Sequence, residues 1–322
     1  MRLDLALIGL HPTLSRRRAR AAIEKGQVTV DGTRVREAGH PVPDGAAVVW
    51  DPHRKALPRA RCSLPILHED EHVLVIDKPA GLLTVPSGPG QRDEDTALAR
   101  VRDYVARLRP REAFAERVHR LDRNTTGALA FALSREARAG LIQIFRAHRI
   151  ERRYLAIVEG EPPADQGVVD ARLRDEWVSG RRAVAHPAEP GKAARTRWRV
   201  RERFAGAALL EVDLDTGRQH QIRVHLAHVG LPVLGDRVYG RGTPGRTTPR
   251  RPMLHARRLA FAHPISGARV AVESPLPADF TRVLARLRRQ GTGGGAPRRS
   301  KPSPPGDRRE GRRRRGGAAR RG

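Results

Sequence analysis

The sequence predicts an α+β protein with a mixed, mainly antiparallel sheet, a small helix-helix-hairpin unit in front of it and a basic tail behind it. Strand-like runs outnumber helical runs and occur in consecutive groups, which favours an antiparallel sheet over a doubly wound one. The sequence contains no Gly-rich dinucleotide-binding or Walker fingerprint. Changes in composition divide the chain into an opening unit at 1–50, a linker at 51–63, a main unit at 64–290 and a tail at 291–322.

The opening unit combines two helices with a hairpin. Leucines and an isoleucine at 3–10 indicate a short first helix. Ser15 is a suitable N-cap for a second helix, which ends at Gly26. Asp31 and Gly32 then separate two short β-type runs, which is a strong hairpin signal.

The main unit has alternating and apolar runs typical of strands at 72–76, 127–133, 153–158, 197–203, 208–214, 254–261 and 269–272. Helical patterns occupy 95–108, 134–146, 219–228 and 278–289. The linker is polar and carries two prolines, whereas the tail is rich in Gly, Pro and Arg and cannot form a core. We therefore expect the tail to be disordered.

The charge of the chain predicts a polyanionic partner. Sixty-three Lys and Arg against thirty-five Asp and Glu give a net charge of +28, and the tail supplies +9 of this, from eleven basic and two acidic residues. Since the folded part is itself basic, nucleic acid is the leading partner and an anionic membrane a distant second. No apolar run reaches the length of a membrane span and no signal peptide is evident. One cysteine, Cys62, fits a reducing cytoplasm.

The string HRLDRNTTG at 119–127 is the most informative motif. Asp122 lies among His119, Arg120 and Arg123, and this positive surrounding favours the ionised carboxylate. Such a group suits nucleophilic or base chemistry on an anionic polymer. The alternative is that Asp122 only forms an ion pair or caps a turn before the next strand.

Four strings decide between these alternatives: DKPAGLLTVP at 77–86, HRLDRNTTG at 119–127, RRYLAIVEG at 152–160 and TGRQHQIRVHLAHVGLPVLGDRVYG at 216–240. In this order and spacing they resemble the RluA branch of the pseudouridine synthases. The resemblance extends from about residue 66 to 290 and implies the pseudouridine synthase fold. It also implies an isomerase that cuts uracil from its ribose, turns it and rejoins it through C5, with no metal or redox cofactor.

The resemblance assigns three catalytic residues. The family's aspartate falls on Asp122, which would attack the sugar or the base or remove a ribose proton; the sequence does not choose among these routes. Arg223 is the cation that would hold this charge in a closed site, and Tyr154 is the aromatic side chain that would stack on the uracil. Lys78 and His119 are expected to order the neighbouring loops.

RNA contacts are expected in both the main unit and the opening unit. Arg120 would fill the gap that an extruded base leaves, and Arg218 would bind phosphate at the start of a helix. The opening unit resembles the alpha-L RNA-binding motif, in which the second helix carries Arg16, Arg17, Arg18 and Arg20. Members of the branch with such a unit usually act on large-subunit ribosomal RNA, which is therefore the expected partner.

Other functions remain as alternatives. A non-catalytic RNA-binding or ribosome-assembly protein would have the same basic surfaces, but it would not need Asp122, Tyr154 and Arg223 together. A metal-dependent nuclease ranks last, because it needs clustered carboxylates. The histidines at 220, 225 and 228 do not have the spacing of a metal site on one helical face. We expect a monomer in the cytoplasm.

Overall fold

A computed structural model describes residues 1–35, 38–54, 62–88, 95–110, 112–174, 181–186, 188–241 and 249–292. The tail from 293 onward and the middle of the expected linker lie outside the described residues. The expected disorder of the tail therefore stays a prediction.

The opening unit has the predicted helices and hairpin. Its elements are α1 (Leu3–Leu10), α2 (Arg16–Glu24), β1 (Val28–Val30), β2 (Thr33–Arg34) and β3 (Val48–Trp50). The hydroxyl of Ser15 accepts a hydrogen bond from the backbone N–H of Arg18, as an N-cap does. Asp31 and Gly32 both have positive φ, at 49° and 79°, which the tight turn between β1 and β2 requires. The third strand, β3, pairs antiparallel with β1 and was not predicted.

In the described residues, the main unit has a ten-stranded sheet and four helices. The strands are β4 (Ile66–Glu69), β5 (Val73–Lys78), β6 (Glu116–Arg117), β7 (Thr126–Ala132), β8 (Ile150–Glu159), β9 (Gln166–Asp170), β10 (Arg195–Phe204), β11 (Ala207–Leu214), β12 (Leu254–Ala262) and β13 (Arg269–Glu273). The helices are α3 (Ala97–Leu108), α4 (Arg135–Arg146), α5 (Gln221–His228) and α6 (Ala278–Thr292).

The strand order is β4-β5-β7-β12-β8-β11-β10-β9, with β13 on β12 and β6 on β7. Among the described strands, the pair β7 and β12 is parallel and the other neighbours are antiparallel. This confirms the α+β class with a mixed, mainly antiparallel sheet. The predicted strands and helices are present with shifted ends, whereas β4, β6 and β9 were missed. These three are short and largely exposed or half-buried, so their sequences lack an apolar stripe.

Strand β7 lies at the centre of the core, because all seven of its residues are buried. One face of the sheet packs against α3, with Leu129 and Phe131 of β7 in that cluster. The other face packs against α4, with Ala128 and Ala130 of β7 in that cluster. The start of β7 is therefore fixed from both sides, and with it the loop at 119–125 that enters the strand.

Candidate active site

Asp122 lies in the loop that enters β7, and neighbouring loops hold this segment in place. The hydroxyl of Thr84 donates to the carbonyl of Leu121 at 2.8 Å and accepts from its N–H at 3.1 Å. The ammonium of Lys78 donates to the carbonyl of Arg123 at 3.0 Å and to two carbonyls of its own loop, at 79 and 82, at 2.8 Å. The backbone on both sides of Asp122 is thus fixed, and its carboxylate retains 17% exposure.

Arg223 brings the second half of the site to Asp122. It lies on α5, 101 residues further along the chain, and its Nη1 donates to Oδ2 of Asp122 at 3.0 Å. Its Nε and Nη2 donate to the two carboxylate oxygens of Asp236, at 2.6 and 2.8 Å. Since Asp236 occupies one edge of the guanidinium, the remaining edge is directed at Asp122.

The side chain of Asp236 is fully buried. It forms the buried end of a row of three charged groups, Asp122, Arg223 and Asp236. Burial raises the pKa of its carboxyl group, but the hydrogen bonds and charge of Arg223 outweigh this and lower the pKa. Its Oδ1 also accepts from the N–H groups of Val238 and Tyr239, at 2.9 and 3.2 Å. The guanidinium of Arg223 lies 5.0 Å from the centre of the Tyr239 ring. Arg223 is therefore held by two carboxylates and an aromatic face.

Asp122 and Asp236 together raise the pKa of Arg223. Burial lowers its pKa, but the hydrogen bonds to Asp236 and the charge of Asp122 outweigh this and raise the pKa above the usual arginine value. The guanidinium therefore stays charged in its buried position. It supplies a permanent positive charge at 3.0 Å from Asp122.

Tyr154 completes a cavity of about 460 Å³ whose walls include Asp122, Arg223, Arg120 and Arg218. This volume lies within the usual range of small-molecule sites, roughly 300–1,000 Å³. Burial raises the pKa of the Tyr154 phenol to about 12, with a smaller opposing effect of the charge on Arg152. The phenol is therefore neutral at pH 7, and its ring forms an apolar wall beside the carboxylate. The structure brings together the predicted catalytic residues and the two arginines expected to contact RNA.

His119 is held in place by its contacts with the chain around it. Its ring stacks on Phe145 with centroids 4.8 Å apart, and its Nε2 accepts from the N–H of Ala130 at 2.9 Å. Burial and the charge of Arg152 lower the pKa of His119 to about 3. The ring is therefore neutral at physiological pH. Arg120, the next residue, is exposed at the wall of the cavity.

The turn before α5 positions Arg218 and His220. The side-chain oxygen of Gln221 accepts from the N–H of Arg218 at 2.9 Å and from the hydroxyl of Thr216 at 2.8 Å. His220 adopts a left-handed backbone with φ of 59°, and its Nδ1 lies 2.9 Å from the hydroxyl of Tyr239. Its Nε2 lies 3.8 Å from Oδ2 of Asp122, which makes His220 a neighbour of this carboxylate.

Sequence reasoning missed three residues of this site. Asp236 and Tyr239 lie in the quoted string that ends LGDRVYG, but nothing in the string shows that both fold back onto Arg223. Arg152, two residues before Tyr154, lines the cavity with 8% of its surface exposed. The available signal was the spacing of two between Arg152 and Tyr154, which places both side chains on one face of a strand.

Both ring nitrogens of His225, on α5, are engaged within the protein. His225 is fully buried and bonds to the hydroxyl of Thr196 at 2.9 Å and to the carbonyl of Ala171 at 3.0 Å. Within the described part of the chain, no cluster of three or more potential ligands could hold a metal ion. In the same residues, no helix is long and apolar enough to cross a membrane.

The four arginines of α2 are exposed but differ in their pairing. Arg16 and Arg20 place Nε 3.4 and 3.1 Å from Oδ2 of the buried Asp4. Arg17 and Arg18 have no ion pair among the described residues, so they present the less neutralised charge of this helix.

Comparisons with known proteins show the family of the chain. A family model described as RNA pseudouridylate synthase matches residues 72–228, and a model described as S4 domain matches residues 1–48. Proteins named "Ribosomal large subunit pseudouridine synthase D" from Xylella fastidiosa and Pseudomonas aeruginosa are each 38% identical to this chain. The matches cover 89% of this chain, and 89% and 92% of those proteins.

A solved structure, "Human RNA Pseudouridylate Synthase Domain Containing 4", has a TM-score of 0.57 and 25% identity, and covers 70% of this chain and 93% of its own. The shared fold, the match of the family model and the identity to full-length relatives agree with one another. The chain belongs to the RNA pseudouridylate synthase family and is an isomerase with an S4 domain at its N-terminus.

Proposed function

We propose that this enzyme converts specific uridines of large-subunit ribosomal RNA to pseudouridine, with Asp122 as its catalytic carboxylate. The observation that carries the assignment of the site is the 3.0 Å contact between Asp122 and Arg223 in the wall of a cavity that also includes Tyr154. The names of the relatives support the choice of RNA. The net charge of +28 supports a polyanionic substrate.

The reaction breaks the bond between C1′ of the ribose and N1 of the uracil, and forms a bond from C1′ to C5. The proton lost from C5 is balanced by the proton gained at N1. Asp122, kept beside a permanent cation, attacks the sugar or the base or removes a ribose proton. The neutral ring of Tyr154 stacks on the detached uracil.

The target nucleotide must leave its stack to reach Asp122, which costs a few kcal/mol. Exposed Arg120 is placed to fill the gap, because a guanidinium can stack on bases and still contact phosphate. Arg218, at the turn into α5, is placed to bind a neighbouring phosphate. The S4 domain at 1–48 adds affinity through exposed Arg17 and Arg18. We further propose that the enzyme acts as a monomer in the cytoplasm, where its RNA is made.

Replacing Asp122 by Asn tests this function. The change keeps the shape and removes the charge, so Asp122→Asn is expected to lose pseudouridine formation by at least about 10⁴-fold, as is typical when an acting group is removed. The matched control is Asp103→Asn, an exposed carboxylate on α3 outside the cavity, which should keep wild-type turnover.

The measurement is pseudouridine mapping on large-subunit RNA from a strain without the enzyme, incubated with each purified protein. Wild-type activity of Asp122→Asn would refute the role of Asp122. Binding of this RNA by the wild-type protein without any product would favour the non-catalytic RNA-binding protein.

A further inference from the structure

Two further cavities lie on one side of the cavity at Asp122. A cavity of about 210 Å³ shares Asp122, His220 and Arg223 with it. That cavity in turn shares Asn124 and Arg250 with an open cleft of about 770 Å³ along α6. The three spaces therefore lie side by side along a path that leads from Asp122 to the last helix.

The part of this path beyond Asn124, which runs along α6 past Arg250 and Arg282, is called the α6 groove. It is lined with arginines. Arg282, Arg286 and Arg289 follow one another at helical spacings of four and three, so they share one face of α6. Arg250 lies where the two outer cavities meet. The acidic residue in the cleft is Asp279, and it is bound in a bidentate pair to Arg251 at 2.7 and 2.9 Å.

Several of these charges face solvent. Arg250 and Arg282 are exposed, as are Arg123 and Arg237 in the connecting cavity. None of these four has an ion pair within the described part of the chain. The groove thus offers positive charge that the fold does not use to neutralise its own carboxylates.

We infer that the α6 groove binds the phosphodiester backbone of the RNA strand next to the target nucleotide. When that nucleotide occupies the catalytic cavity, the chain that continues from it must leave through an adjoining opening. The path past Asn124 provides such an opening and is lined with arginines, which suit phosphate through their planar, multidentate donors. The inference rests on the proposed function only for the identity of the nucleotide at Asp122.

The test compares a groove variant with a matched control. The groove variant is Arg250→Gln with Arg282→Gln. The control is Arg107→Gln with Arg172→Gln, two exposed arginines that line none of the three cavities and have no ion pair among the described residues. Melting temperatures check that both double variants are folded.

Binding is measured against salt concentration with a hairpin RNA of about forty nucleotides and with a trinucleotide centred on uridine. Each phosphate contact on a single strand contributes about 0.7 to the slope of log K against log salt. The groove variant should therefore have a slope for the hairpin that is shallower by about 1.4, with at least about tenfold weaker binding at low salt. The trinucleotide should be affected less, and the control should bind both RNAs as the wild type does.

A groove variant with the wild-type slope for the hairpin would overturn the inference, and so would an equal loss in the control. Because the readout is binding, it does not depend on catalysis. Failure of the proposed function would appear separately, as wild-type protein that binds in the groove and forms no pseudouridine.

Discussion

Asp236 offers the sharpest test of how the site is held together, since it is connected to Asp122 only through Arg223. Its carboxylate is fully buried and binds both Nε and Nη2 of Arg223. In Asp236→Asn one oxygen remains as an acceptor, while the new NH₂ group faces a donor. Arg223 then keeps Asp122 as its charged partner and loses the contact that directs its orientation.

The expected losses follow from this geometry. Breaking a buried ion pair by removing one partner costs about 3–5 kcal/mol. For a unit of this size that corresponds to a fall in melting temperature of roughly 10 °C. A displacement of Arg223 by about 1 Å would lower kcat by about 10²-fold. The variant should therefore be less stable and slower, with a smaller effect on KM.

The control is Asp279→Asn, which has the same bidentate geometry with Arg251 but a carboxylate that is 40% exposed. Arg251 also donates to backbone carbonyls, so this change should cost about 1 kcal/mol or less. Melting curves and single-turnover pseudouridine formation well below the melting temperature separate stability from rate. If Asp236→Asn kept wild-type kcat after losing stability, Asp236 would be structural and the orientation argument would be wrong.

Two further predictions concern the centre of the sheet. Gly127→Ala should destabilise the fold by at least about 3 kcal/mol, because φ is 115° and the new Cβ would lie 2.3 Å from the carbonyl oxygen of Ala256. Gly9→Ala, which adds a methyl group in open space on α1, should not destabilise the fold, and equal melting temperatures for the two variants would refute this reasoning. Burial lowers the pKa of fully buried His255 to about 4 from 6.5, so the unfolded chain binds the extra proton between these values and stability falls as pH falls. At pH 5 this group alone should cost about 2 kcal/mol relative to pH 7, and denaturant titrations in which His255→Gln shows the same acid loss would contradict it.

The sequence predicted those parts of the fold whose residues carry a strong local pattern. Strand β7 is an apolar run and α3 and α4 have clear amphipathic faces, so each was found with small errors at its ends. The edge strand β9 was missed because its sequence QGVVD does not alternate between apolar and polar residues. The parallel pairing of β7 with β12 could not be predicted either, since it joins segments more than a hundred residues apart. It also depends on the close approach of the Ala256 backbone to Gly127.

The candidate site was predictable as a set of residues but not as an arrangement. Asp122, Tyr154 and Arg223 were found because each lies in a distinctive string. The role of Asp236 was not found, because a carboxylate beside an arginine in the sequence has no fixed partner until the chain folds. Its neighbour in sequence is Arg237, yet its side chain binds Arg223.

The row Asp122–Arg223–Asp236 explains why a single arginine can serve a closed site. With Asp122 as its only carboxylate partner, the guanidinium of Arg223 would be free to rotate. It could then bind a phosphate of the incoming RNA in place of Asp122. Asp236 prevents this, because it is buried at 0% exposure and holds two of the three nitrogens of the guanidinium. The arginines on the exposed side, at 120, 218 and 250, remain available for phosphate. Under the proposed function, the fold thus separates the cation beside Asp122 from the cations that contact RNA, and it does so by burial.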